Sequence, residues 1–407
     1  MQAAVTAKKL WDGDRLLDEP LIAIEDGRIA SIASRADAGL AGYAAVFDFP
    51  GATLSPAFFD VHFHGAAGHD VMEATPEALA AIGSLLAARG TGSFLATTVT
   101  APLDRTLHAV SGLARLIREP GLVEKRNRNA EPLARPVGIH LEGPFLSHAK
   151  RGVQPAEYLM APDLAVFDRL FDAAEGEMRL MTLAPELPGA AELTAHATAR
   201  GVRVSVGHSN ASAAETRAVI AAGATSATHT FNAMRALDHR EAGILGVVLT
   251  TDSMFSELIC DGIHTAPEAV NLWWRCKGPD LAILVTDAMS AAGMPDGEYR
   301  LGTFAVQVSG GKATANGVLA GSVLTLDNAL KNMIAFTGAP LEQALRLVTR
   351  NPAAMTGLGE QAGSLTVGQP ANLVAVDDAG KLMASLVDGR SVAARQLGRG
   401  VSIERLL

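Results

Sequence analysis

Six residues of this chain are of the types that hold metals or move protons, and each closes an apolar run: His62, His64, Glu142, His208, His229 and Asp287. The run Leu281-Ala-Ile-Leu-Val-Thr-Asp287 is the clearest of these. In a parallel barrel every strand points its C-terminal end at one rim, so strand-end side chains converge there. His62 and His64 alternate with one residue between them, which in a strand puts both on one face. Taken singly, each residue has a bland reading as a satisfied buried histidine, a cap or a loop anchor. Taken together, imidazoles and a carboxylate at one rim suit zinc, iron, manganese or cobalt better than calcium, which prefers oxygen alone. One or two ions are expected. Asp287 has no ligand partner beside it in sequence and suits a proton shuttle next to such a metal. The pattern points to metal-dependent hydrolysis.

The elements that must position these residues are legible too. Apolar, β-type runs occur at 54–64, 93–98, 137–142, 178–183, 202–208, 225–229, 255–260 and 281–287. Helical patterns at 76–89, 103–118, 162–174, 190–200, 213–222 and 267–277 separate most of them, and 326–336 and 341–349 follow. This alternation predicts an α/β chain built on a (β/α)8 TIM barrel, over 54–354. An open doubly wound sheet would carry a Gly-rich phosphate fingerprint after an early strand, and none is present. Asn351-Pro352 is expected to end the last helix. Near the start, Asp26-Gly27 between two apolar stretches is a hairpin signal. Similar short strands recur near the end, so residues 1–53 and 355–407 are expected to form one small β-sandwich domain.

Composition narrows the partners. The 407 residues are 48% hydrophobic and 19% charged, with a net charge of −9, which argues against nucleic acid or an anionic membrane. No stretch approaches a membrane span, and the N-terminal residues lack a leader pattern. Cys260 and Cys276 have no CxxC spacing and read as reduced thiols, so a cytoplasmic location is expected. His108 and His196 fall in helical patterns, and His69 and His148 in loops, so none is counted among the ligands. His140 alternates with Glu142 and is expected to serve as a structural hydrogen-bonding group one layer deeper.

Longer motifs sharpen the reading. Pro56-Ala-Phe-Phe-Asp-Val-His62-Phe-His64-Gly, His140-Leu-Glu142-Gly-Pro-Phe, Val206-Gly-His208, Thr228-His229-Thr-Phe-Asn232-Ala233-Met, His239-Arg240-Glu, Asp261-Gly-Ile-His264 and Val285-Thr-Asp287-Ala run through the chain. Together they resemble the N-acetylglucosamine-6-phosphate deacetylase family of the amidohydrolase superfamily, over essentially the whole length. The resemblance implies that Glu142, His208 and His229 hold the main metal, with zinc first among the candidates, and that Asp287 is the catalytic acid and base. It implies substrate contacts from Val153 (through its backbone), Asn232, Ala233, Arg240, Asp261, His264, Leu319, Ala320 and Gly321.

Members with His-x-His in the first strand bind a second ion, and His62 and His64 place this chain with them. One departure stands out. Where some members carry a histidine that polarises the acetyl carbonyl, this chain has Gln154, which can donate a hydrogen bond but carries no charge. The implied reaction turns N-acetylglucosamine 6-phosphate into glucosamine 6-phosphate and acetate, in amino-sugar catabolism or cell-wall recycling. The implied assembly is a homodimer in which Arg240 reaches the neighbour's site.

Three other readings bear on the same residues. N-acetylgalactosamine 6-phosphate differs by one hydroxyl's orientation. A cyclic-amide hydrolase of the dihydroorotase or hydantoinase type would need a lysine at the end of strand four, and Met178-Arg-Leu-Met-Thr-Leu-Ala-Pro185 has none. A noncatalytic scaffold should have lost ligands or Asp287, and this chain keeps both.

Overall fold

The computed structural model describes residues 2–38, 42–127 and 131–392; the last part of the 355–407 segment lies outside them. Eight parallel strands follow one another in chain order around one sheet: Phe58–Phe63, Thr91–Thr97, Arg135–Glu142, Met178–Leu183, Arg203–Val206, Ser226–Ala227, Phe255–Ile259 and Ala282–Val285. The first and last strands meet at their C-terminal ends. There Asp287 N–H donates to His62 O at 2.9 Å and His64 N–H to Ala288 O at 2.9 Å. The seam that closes the barrel is thus made by residues singled out for chemistry. Phe58–Phe63 and Thr91–Thr97 are buried along their whole length, as a barrel filled inside and covered by helices outside requires.

The crossover helices start where the local chemistry says they should. Thr75 caps Pro76–Ala88 by accepting from Ala78 N–H, with proline at the first helical position. Ser212 and Glu215 form a reciprocal cap on Ala213–Ala221. The remaining crossovers are Leu103–Arg118, Leu164–Ala173, Ala190–Ala199, Gly243–Thr250 and Pro267–Leu281. The helix at Gly243–Thr250 was not legible: Gly-Ile-Leu-Gly-Val-Val-Leu-Thr is nearly all buried and rich in β-branched residues, so it shows no helical stripe.

The expected stop at Asn351-Pro352 is corrected. Helices Leu326–Thr337 and Leu341–Arg346 are followed by a further one, Arg350–Thr356, with Pro352 in its first turn. A first-turn proline gives up no helical hydrogen bond, so it is tolerated there.

Segments from near both ends of the described residues lie in one sheet, ordered Arg390–Ser391, Leu382–Val387, Leu373–Val376, Ala45–Pro56, Gln2–Trp11, Pro20–Glu25 and Arg28–Ser34, with Leu16–Asp18 paired to Gln2–Trp11. Asp26 and Gly27 make the expected tight turn at positive φ. A further sheet, antiparallel throughout, was not foreseen. Gly297–Leu301, Phe304–Ser309, Lys312–Ala315 and Val318–Leu319 form it, between the eighth barrel strand and the helix that follows. Its turns at Gly310-Gly311 and Asn316-Gly317 were the available signal. Among the described residues no helix is long and apolar enough to cross a membrane.

Candidate active site

The strand ends bring the predicted ligands to one point. His62 Nε2 lies 3.4 Å from Glu142 Oε1, and His208 and His229 approach the same oxygen at 3.2 and 3.3 Å. His64 Nε2 approaches Glu142 Oε2 at 3.4 Å and Asp287 Oδ1 at 3.0 Å. Two donor groups result, His62–His64–Glu142 and Glu142–His208–His229, all buried, with Glu142 common to both.

Backbone geometry at three of these positions is unusual. His208, His229 and Asp287 have φ of +45°, +27° and +49°, each just beyond its strand. Such left-handed conformations cost on the order of 1–3 kcal/mol each outside glycine, and they persist where the surroundings impose them. Here they turn each side chain from the strand back over the rim. Gly321 serves the same place. At φ +61° it leaves room that a Cβ would take, 3.0 Å from Asp287 O, while Ser322 N–H donates to that carbonyl at 2.7 Å.

The outer ring nitrogens show which tautomers are present. His64 Nδ1 lies 3.0 Å from Thr97 O and His208 Nδ1 3.0 Å from Lys150 O. A carbonyl can only accept, so both Nδ1 atoms carry hydrogen and both Nε2 atoms are free to ligate when the rings are neutral. His62 Nδ1 is held the same way by Glu257 Oε2 at 3.2 Å. Lone pairs of imidazole and carboxylate thus converge, and among the described residues Glu142 Oε1 accepts no hydrogen bond. Such a set needs positive charge at its centre. Imidazoles sharing one carboxylate fit a divalent metal ion.

The electrostatics agree. Burial opposes the charge of Glu142, but His62, His208 and His229 overcome it and hold the carboxyl well below its usual range. Burial likewise opposes His62 and is overcome by Glu142, Glu257 and Asp287, which raise it well above an ordinary histidine. For Asp287, burial is outweighed by the bond to His64 and the charge of His62, so its pKa is lowered.

The chain matches the Amidohydrolase family over residues 53–393. An N-acetylgalactosamine-6-phosphate deacetylase from Escherichia coli O157:H7 is 38% identical over 378 residues, 93% of this chain and 96% of that relative. The chain belongs to the amidohydrolase family. An N-acetylglucosamine-6-phosphate deacetylase from Lysinibacillus sphaericus is also 38% identical, over 87% of this chain and 88% of its own. In three dimensions the chain is similar to the Mycobacterium smegmatis N-acetyl-D-glucosamine-6-phosphate deacetylase, in an aspartate-to-alanine mutant complexed with N-acetyl-D-glucosamine-6-phosphate. The TM-score is 0.87 at 35% identity, covering 96% of this chain and 99% of that one.

Within this amidohydrolase site the other predicted residues fall into distinct settings. His264 Nδ1 is tied to Asp261 Oδ2 at 2.7 Å. Burial opposes the charge of His264, but that bond and the nearby Asp287 raise its pKa above the usual value. Asp261 Oδ1 accepts from Ile263 and His264 N–H, so both its oxygens are committed within its own loop. Asn232 Nδ2 is buried without a partner among the described residues, as an amide reserved for a ligand would be. Ala233 O accepts from Ser209 N–H, which joins the loops carrying His208 and His229. Val153, like Phe304, packs against the cluster that includes Val306 and Val308 of the antiparallel insert. Leu319 ends that insert and Ala320 N–H bonds back to Ala313 O.

Arg240 sits apart, on an exposed turn. Its two acidic neighbours are occupied elsewhere: Asp238 accepts from the backbone of Arg240 and Glu241, and Glu241 from Ala213 and Gly243. His140 is a deeper structural group, bonded to Val61 O and to Thr182 Oγ1 at 2.8 Å.

Two residues that contact the site escaped sequence reasoning. Glu257, buried in the seventh strand, holds His62 and also lies 3.4 Å from His229 N. Its signal was a lone acid in the run Phe255-Ser-Glu257-Leu-Ile. Asp60 alternates with His62 on the first strand and accepts from Thr286 Oγ1 at 2.6 Å, tying that strand to the residue before Asp287. Burial pushes its carboxyl up to about 7.

Proposed function

We propose that this amidohydrolase is a metal-dependent deacetylase that hydrolyses N-acetylglucosamine 6-phosphate to glucosamine 6-phosphate and acetate. The observation that carries the reading is the single carboxylate, Glu142, shared by two pairs of histidines with Asp287 against one of them. Zinc is the favoured metal for such borderline N/O donors, and two ions per chain fit the two donor groups. A divalent cation held there supplies Lewis acidity and lowers the pKa of a water that it coordinates.

The chain's own residues do the rest. Asp287 accepts the proton of the attacking water and returns it to the departing amine nitrogen. His264, fixed by Asp261, presents Nε2 as a donor to the carbonyl oxygen as negative charge develops there. Asn232 offers its unpartnered amide to the sugar. Arg240, with no ion pair among the described residues, is left to bind the 6-phosphate, reaching the neighbour's site in a homodimer. Two free cysteines suit a reducing compartment, so we place the enzyme in the cytoplasm.

A second substrate is favoured by one observation: a galactosamine-type relative matches as well as a glucosamine-type one, at 38% identity each. Acetate release from the two N-acetylhexosamine 6-phosphates tests the proposal. A kcat/KM higher for the glucosamine epimer supports it; a preference for the other epimer transfers it to that sugar, and no acetate from either refutes it.

A further inference from the structure

Gln154 is 5% exposed, and both ends of its amide are engaged. Thr100 N–H donates to its Oε1 at 2.9 Å. A backbone N–H can only donate, so this bond fixes which end of the amide is which. The other end, Nε2, therefore donates to Glu142 Oε2 at 3.0 Å.

Glu142 is the one residue whose orientation decides whether both donor groups exist. Its Oε1 faces His62, His208 and His229, while its Oε2 faces His64. The last torsion of a glutamate side chain is broad and roughly two-fold, so nothing intrinsic holds this division. An N–H fixed by the backbone of Thr100 does hold it. That donor is neutral, so it steadies the carboxylate without competing for the positive charge at the centre of the cluster.

We propose that Gln154 is a positioning residue that locks the rotation of the Glu142 carboxylate, giving one oxygen to each donor group, and that it acts through Glu142 rather than on the substrate carbonyl. The role extends to the segment that carries it. Lys150 O takes the Nδ1 hydrogen of His208 and Ser147 N–H bonds to His208 O at 3.0 Å, so the segment that holds Glu142 through Gln154 also grips His208. Val153 lies between Lys150 and Gln154 in this segment.

The proposal rests on the reading of the cluster as a metal site, and the test separates the two. Zinc affinity is measured by chelator competition on the intact wild-type protein and on Gln154→Met, which is of similar size but donates nothing. Groups that orient metal ligands typically contribute about 10–100-fold in affinity, and we expect a loss of that size in Gln154→Met for at least one bound equivalent. KM should stay near the parent value, and kcat should recover as zinc is raised to saturation.

Unchanged zinc affinity with a kcat that stays low at saturating zinc would overturn the proposal and assign Gln154 to the substrate. No zinc bound by the wild type would instead remove the metal-site reading itself. Should Gln154→Met fail to fold by far-ultraviolet circular dichroism, Gln154→His takes over the test. It restores an N–H, so affinity nearer the parent than about tenfold supports the assignment, and a larger loss contradicts it.

Discussion

His62 Nδ1 lies 3.2 Å from Glu257 Oε2, on the buried floor of the site, while its Nε2 faces Glu142 and Asp287. The carboxylate below keeps the Nδ1 hydrogen in place and makes the opposite nitrogen a better ligand. Glu257 Oε1 has no partner among the described residues, so the fold tolerates an incompletely satisfied buried acid at this point.

Glu257→Ala should weaken metal binding by about 10–100-fold, with the loss falling on the His62 and His64 side. Glu257→Gln should lose less, because an amide oxygen still accepts from Nδ1. Metal-free Glu257→Gln should melt below the metal-free parent, since it takes the counter-charge from buried His62. Chelator competition and differential scanning calorimetry check the two halves; equal metal affinity in all three proteins would dismiss Glu257 as a functional group.

His208→Ala or His229→Ala should abolish binding of the main metal, because each removes one of three ligands. The double variant His62→Ala/His64→Ala should retain that ion and lose one equivalent only. Elemental analysis decides this. One equivalent in the wild type, unchanged in the double variant, would contradict the second site. Stripping the parent with chelator should lower its Tm, since an ion bound only by the folded state stabilises it by mass action.

How much of this was legible follows from where information sits in a chain. His62 and His64 could be read because strand alternation is local, and the ends of apolar runs placed Glu142, His208, His229 and Asp287 on one rim. Glu257 could not be read as a partner of His62, because the two are 195 positions apart and only barrel closure brings them together. Gln154 was recognised as unusual, but its bonds to Thr100 and Glu142 depend on how a loop folds back. The helix at Gly243–Thr250 was hidden by burial on all sides, which erases the stripe that reveals a surface helix. The stop at Asn351-Pro352 failed because a proline ends one helix and begins another by the same property, its missing N–H.

Arg240→Ala should reduce kcat/KM for N-acetylglucosamine 6-phosphate by roughly 1.5–3 kcal/mol, about tenfold or more, if its guanidinium binds the phosphate. The rate with unphosphorylated N-acetylglucosamine should barely change. The ratio of kcat/KM for the two sugars, in parent and variant, is the measurement. An unchanged ratio would return Arg240 to the surface turn on which it stands.

The most direct test of the whole account is acetate release from N-acetylglucosamine 6-phosphate by the metal-loaded parent and by Asp287→Asn, side by side. The asparagine amide keeps the shape of the carboxylate but cannot take and return a proton. The parent should release acetate, and the variant, with equal metal content and an unchanged fold, should fall by at least about a hundredfold in kcat. A parent that releases no acetate, or a folded and metal-loaded variant that turns over near the parental rate, would contradict it.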